Sequence, residues 1–191
     1  MILLSAVGIG LLVGIGRARW LGRAYSLPAL RHVWLVVVAF LPQLLVTSID
    51  NAHWPLANQV AGPTLIVSIG ILLGFVWLNL RLPGMPLLLG GLTLNLAVML
   101  ANGGLMPVNP QTASRLVSEE TSQTLILGDR FGQKDVLLLK QDTHLELFSD
   151  RFLPPAWFPY QVAFSLGDIC IGAGAFWFLV TDKKYSMHRS S

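Results

Sequence analysis

Asp168 is the residue whose type and position best suit chemistry. It lies in Phe164-Ser165-Leu166-Gly167-Asp168, one or two turns into an apolar stretch. An ionisable side chain within a membrane span is costly and by default a functional candidate. A carboxylate there could relay a proton, hold a cation or pair with an arginine such as Arg151. The structural alternative is a carboxylate near the outer interface that caps the helix or bonds backbone amides.

Asn95 and Asn102 are seven residues apart, so on a helix they share a face. They can hydrogen-bond across to Asp168 or Ser165, which would join two helices at about 1 kcal/mol per contact. The stretch Asn102-Gly103-Gly104-Leu105-Met106-Pro107-Val108-Asn109-Pro110 cannot continue a regular helix. It either lines a pocket, since irregular backbone at membrane depth needs protein or water around it, or is a plain exit turn. The candidate binding residues are therefore Asn95, Asn102, Gly103, Gly104, Met106, Pro107, Ser165 and Asp168. Asp142 and His144, with Glu146 beside them, are further polar contacts, and a solvated His144 is the simpler reading. His32 and His53 stand alone, and no histidine has metal-ligand spacing with another His or Cys. There is no nucleophile elbow, phosphate-cradling loop or zinc-protease motif. The sequence thus names no catalytic residue, no metal and no cofactor.

The elements that must position these residues are apolar. Of 191 residues, 53% are hydrophobic and 12% charged, against about 25% charged in a soluble domain. The apolar residues fall in blocks of the length a helix needs to cross about 30 Å of hydrocarbon. This predicts an all-α membrane protein with about five transmembrane helices, at about 1–16, 30–49, 63–80, 87–101 and 161–181. The first block has no basic residue before it and Arg17, Arg19 and Arg23 after it, the reverse of a signal peptide. An uncleaved anchor is expected, extended into the interface by Trp20 and the arginine stems. Pro42 falls inside the second span, and Pro63 suits the first turn of the third. The loop with Asp50, Asn51, His53 and Trp54 has no Lys or Arg.

Residues 102–160 form a small extracytoplasmic α/β insert between the fourth and fifth helices. Thr124–Leu127 and Val136–Leu139 flank a glycine-containing stretch and predict a hairpin. Thr143 and Glu146 read as a capping box opening a short helix, with Leu145, Phe148 and Phe152 on one face. So small a unit buries little apolar surface alone and should lie on the membrane or against the bundle. A Pro- and aromatic-rich segment from Leu153 to Tyr160 leads back into the last span.

Basic residues set the orientation. Arg17, Arg19, Arg23, Arg31, Arg81, Lys183, Lys184 and Arg189 fall in the segments assigned inside. The N-terminus is then outside and the C-terminus cytoplasmic. Gly10 and Gly14, Gly70 and Gly74, and Gly167, Cys170 and Gly174 give small faces for close helix packing within the protein or against a partner. A lone cysteine permits no intrachain disulfide.

At Asn102-Gly103-Gly104-x-Met106-Pro107-Val108 and Ser165-x-Gly167-Asp168 the chain resembles a bacterial family of small polytopic membrane proteins, domain of unknown function 5317. Thr143, Leu147, Asp150 and Leu153-Pro154 belong to the same resemblance. It implies a location in the bacterial inner membrane and supplies no activity, substrate or cofactor. The functional expectation is a non-enzymatic subunit or accessory protein of a larger membrane complex. The alternative is a protein that binds or transports an ion, quinone or lipid at the outer face between the fourth and fifth helices. The expected partners are the lipid bilayer and proteins within it, and no nucleic acid.

Overall fold

The computed structural model describes residues 2–48, 56–155, 157–158 and 160–181. Asp50, Asn51, His53, Trp54 and Pro55, Ala156, Pro159 and the basic tail from 182 onward lie outside the described residues. The chain is mostly helical with one small sheet. Seven α-helices are described: α1 (Ile2–Trp20), α2 (Trp34–Ser48), α3 (Leu56–Leu78), α4 (Met85–Ala101), the short α5 (Pro110–Ala113) and α6 (Glu119–Gln123), and α7 (Leu166–Val180). Between α4 and α7 lie β1 (Met106–Val108), β2 (Arg130–Phe131) and β3 (Asp135–Leu137).

The five expected spans coincide with α1, α2, α3, α4 and α7, but among the described residues two helices, not five, are long and apolar enough to cross a membrane. These are Leu3–Trp20 and Val60–Leu78. The apolar helices at Trp34–Leu44, Met85–Ala101 and Leu166–Val180 are shorter. At about 1.5 Å per residue, the 15 residues of α7 reach about 22 Å. Boundaries moved for local reasons. α1 runs on through Arg17 and Arg19 to Trp20. Pro63 lies inside α3 rather than at its start. Residues 161–164 precede α7 as extended chain, because Phe164 bridges Phe152 through paired backbone hydrogen bonds of 3.0 and 3.1 Å.

Small residues decide how the helices approach. A Cβ at Gly91 would lie 2.5 Å from the carbonyl oxygen of Gly167, and one at Gly84 would lie 2.1 Å from that of Gly174. These contacts set α4 antiparallel to α7 at nearly backbone separation. Gly10 of α1 meets the Phe176 backbone and the Leu179 side chain, and Gly14 meets the Leu179 carbonyl, so α1 runs parallel to α7. α2 packs on α3, and α3 on α4. Phe75, Val76, Met85, Leu92, Phe178 and Leu179 form the main core. Gly70 and Gly74 meet nothing within 4 Å.

The insert packs against the bundle as expected but is built differently inside. The sheet order is β1-β3-β2, with β1 parallel and β2 antiparallel to β3. The Asn102–Pro110 break therefore contains a wholly buried strand as well as a turn. Of the predicted hairpin only the second arm is a strand. Its partner is Arg130–Phe131, because Gly128 (φ 85°) and Gly132 (φ 63°) turn the chain on either side of that pair. Thr124–Leu127 is not a strand. The expected helix after Thr143 is a single 3-10 turn, Glu146–Phe148. Thr143 Oγ1 donates back to the Leu139 carbonyl (2.9 Å), and Leu145 is left-handed (φ 57°), so no helix starts. Phe148 instead packs with Val98, Met99 and Met106, anchoring the insert on α4.

Candidate functional site

Asn95 and Asp168 meet across the α4–α7 contact. Asn95 Nδ2 donates to Asp168 Oδ1 (2.9 Å), and Asn95 Oδ1 accepts from Ser165 Oγ (2.9 Å). Ser165 caps α7: its hydroxyl accepts from the Asp168 N–H (3.0 Å), while Asp168 Oδ2 accepts from the Ser165 N–H (3.2 Å). The capping reading and the interhelical reading of Asp168 therefore both hold. Gly167 permits the arrangement, since a Cβ there would sit 1.9 Å from Asn95 Oδ1.

The other candidate residues separate. Asn102 does not reach Asp168 or Ser165. Its amide donates to the Val98 carbonyl (2.8 Å) and the His144 carbonyl (2.9 Å) and accepts from the His144 N–H (2.9 Å). It ties the insert to the end of α4. Gly103 and Gly104 have positive φ (77° and 96°), and Gly104 abuts Gly62 of α3. Met106 and Pro107 are buried in β1, and Met106 lines the cavity that Asn95 and Asp168 also border. His144 joins this network through its backbone, and Asp142 is an exposed residue of a separate 3-10 turn. Arg151 pairs with Glu146 (3.2 Å), not with Asp168. Among the described residues no three His, Cys, Asp or Glu side chains gather to hold a metal.

Sequence reasoning missed a charged cluster next to this site. Lys134 forms ion pairs with Asp150 and with Asp135 (3.2 Å). Asp150 is fully buried, and its Oδ1 has no hydrogen-bond partner. Burial pushes the Asp150 carboxyl up to about 8, against the pull of the Lys134 ammonium. Burial also raises Asp135, with Lys134 again opposing. Burial alone would lower Lys134, but Asp135, Asp150 and Asp168 outweigh it and hold it above its ordinary value. A neutral carboxyl suits the unpartnered Oδ1, because an unpaired buried charge costs far more than an unpaired neutral group. Asp150 figured in the sequence only through the family resemblance. Only the β1-β3 pairing brings Lys134 and Asp135 to Asp150.

The two groups share a cavity of about 940 Å³ bordered by α1, α2, α3, α4, α7 and the sheet. Its wall is mainly aliphatic and aromatic, including Leu65, Ile69, Leu92 and Phe178. Asn95, Asp168, Arg130, Lys134 and Asp135 gather where the sheet meets the helices. Arg130 donates through Nε and one terminal nitrogen to the Gln133 carbonyl (3.1 and 2.6 Å). Its other terminal nitrogen is buried without a partner. A large apolar space with a few convergent polar groups is the usual form of a small-molecule site.

The chain belongs to the family described as "Family of unknown function (DUF5317)", which matches residues 28–180. The match begins after α1 and takes in α2, α3, α4, the insert and α7. No curated protein and no solved structure matches the chain.

Proposed function

We propose that this member of the family is a membrane-embedded binding protein for a small amphipathic molecule. The observation that carries the reading is the cavity, apolar along the helices and polar at the Asn95–Asp168 end. Its volume suits one lipid-like tail.

The reading includes five helices in the bacterial inner membrane, with the N-terminus outside and the insert extracytoplasmic. It draws support from the outward faces of the helices. Leu4, Leu12, Val37, Leu41, Val67 and Trp77 are exposed, more apolar surface than water normally meets. It also draws support from polarity. Gly14 of α1 packs at Leu179 and Arg31 bonds Asn79, so the arginine-bearing ends of α1, α2 and α3 gather opposite the sheet. Three helices shorter than the hydrocarbon would be met by local thinning and by interfacial side chains. The test is native mass spectrometry from nanodiscs. The chain should retain a lipid-sized adduct, and Leu92→Trp, which narrows the cavity beside Asn95, should weaken its retention. No adduct on a folded wild type would refute the proposal.

A second reading, a non-enzymatic accessory subunit, is favoured by α3. Gly70 and Gly74 face open space beside exposed Val67 and Trp77, as on a helix prepared for another helix. The two readings are compatible.

A further inference from the structure

The charges around the polar end of the cavity are not equivalent. Lys134 is engaged by its own neighbours, Asp150 and Asp135. Two groups on the cavity remain with unspent capacity. Arg130 has a buried terminal nitrogen with no acceptor. Asp168 has one hydrogen bond on each oxygen, from Asn95 and from the Ser165 N–H, and no cation paired with it among the described residues. A carboxylate has about four lone-pair sites, so two remain. One unspent donor is positive and one unspent acceptor negative.

Resting on the reading of this cavity as a ligand site, we infer that its occupant is a single-tailed amphiphile with an uncharged, hydroxyl-bearing head that accepts from Arg130 and donates to Asp168. A phosphate head would gain Arg130 but face Asp168 and Asp135. An ammonium head would gain Asp168 but face Arg130 and Lys134. In a low-dielectric site either mismatch costs more than it would in water. A hydroxyl both accepts and donates, whereas a quinone carbonyl only accepts.

The full chain in zwitterionic nanodiscs is offered an equimolar mixture of monooleoylglycerol, oleoyl lysophosphatidate, oleylamine and a prenylated quinone. Native mass spectrometry then reads what is retained. The expected result is several-fold enrichment of monooleoylglycerol over each of the others. Preference for lysophosphatidate, oleylamine or quinone overturns the assigned head chemistry and leaves the cavity reading standing. Retention of none of the four overturns the cavity reading as well. Charge variants test the two residues separately. Asp168→Asn should shift preference toward lysophosphatidate and Arg130→Gln toward oleylamine. Unchanged preference in both folded variants would remove these residues from the head site.

Discussion

A Cβ on Gly167 would stand 1.9 Å from Asn95 Oδ1, so the hydrogen-bonded junction of α4 and α7 exists only because residue 167 has no side chain. Asn95 can then satisfy Ser165 and Asp168 together. Gly167→Ala should force the helices apart and cost about 2 kcal/mol, in the range of core overpacking. Thermal unfolding in detergent measures it. An unchanged midpoint would show that the helices part without loss.

Asn95→Leu should be costly for a different reason. It removes the donor to Asp168 Oδ1 and the acceptor for Ser165 Oγ, leaving the fully buried Ser165 hydroxyl proton with no acceptor. The expected loss is about 2 kcal/mol. Asn102→Leu should instead loosen the insert, because Asn102 holds the His144 backbone. Hydrogen exchange would separate the two. Asn95→Leu should raise exchange at the start of α7, and Asn102→Leu around His144.

Stability should depend on pH through Asp150. Its carboxyl titrates near 3.8 in an unfolded chain and at about 8 in the fold. Between those values the folded protein holds a proton that the unfolded chain has lost. This contribution is full below about pH 4 and is lost as pH rises to about 8. Asp135, also raised, acts in the same direction. Unfolding midpoints from pH 5 to 8 should fall in the wild type and fall less in Asp150→Asn. A rise with pH would contradict this account.

Removing Lys134 leaves Asp150 fully buried with no cation beside it. Lys134→Met should lose stability mainly above about pH 8, where Asp150 is ionised and left without its cation. Adding Asp150→Asn should recover much of that loss, because the lone carboxyl is then gone. A double variant no more stable than Lys134→Met would show that the pair is not the source of the cost.

The open face of α3 gives a contrast. With nothing within 4 Å of either position, Gly70→Ala and Gly74→Ala should leave the isolated chain as stable or slightly more so, since alanine favours a helix. If the face docks a partner subunit, the same changes should abolish co-purification in mild detergent.

Much of the bundle was legible in the residues themselves. Apolar runs place α1, α2, α3, α4 and α7, because hydropathy is a local property summed along the chain. The Asn95–Asp168–Ser165 contact was legible too, since helical spacing names the face and polar groups between apolar helices seek one another. The insert was not. Two glycine turns and a left-handed Leu145 displaced the hairpin arm and removed the short helix, and both depend on backbone geometry that composition does not report. The buried charges could not be read at all. Lys134, Asp135 and Asp150 become one cluster only when β3 pairs with β1 and the chain returns to bridge Val108 with Asp150. The sequence by itself determined which segments avoid water and which polar residues they carry. Only the tertiary structure decided which of those polar groups lose their water together, because desolvation depends on contacts between segments far apart in the chain.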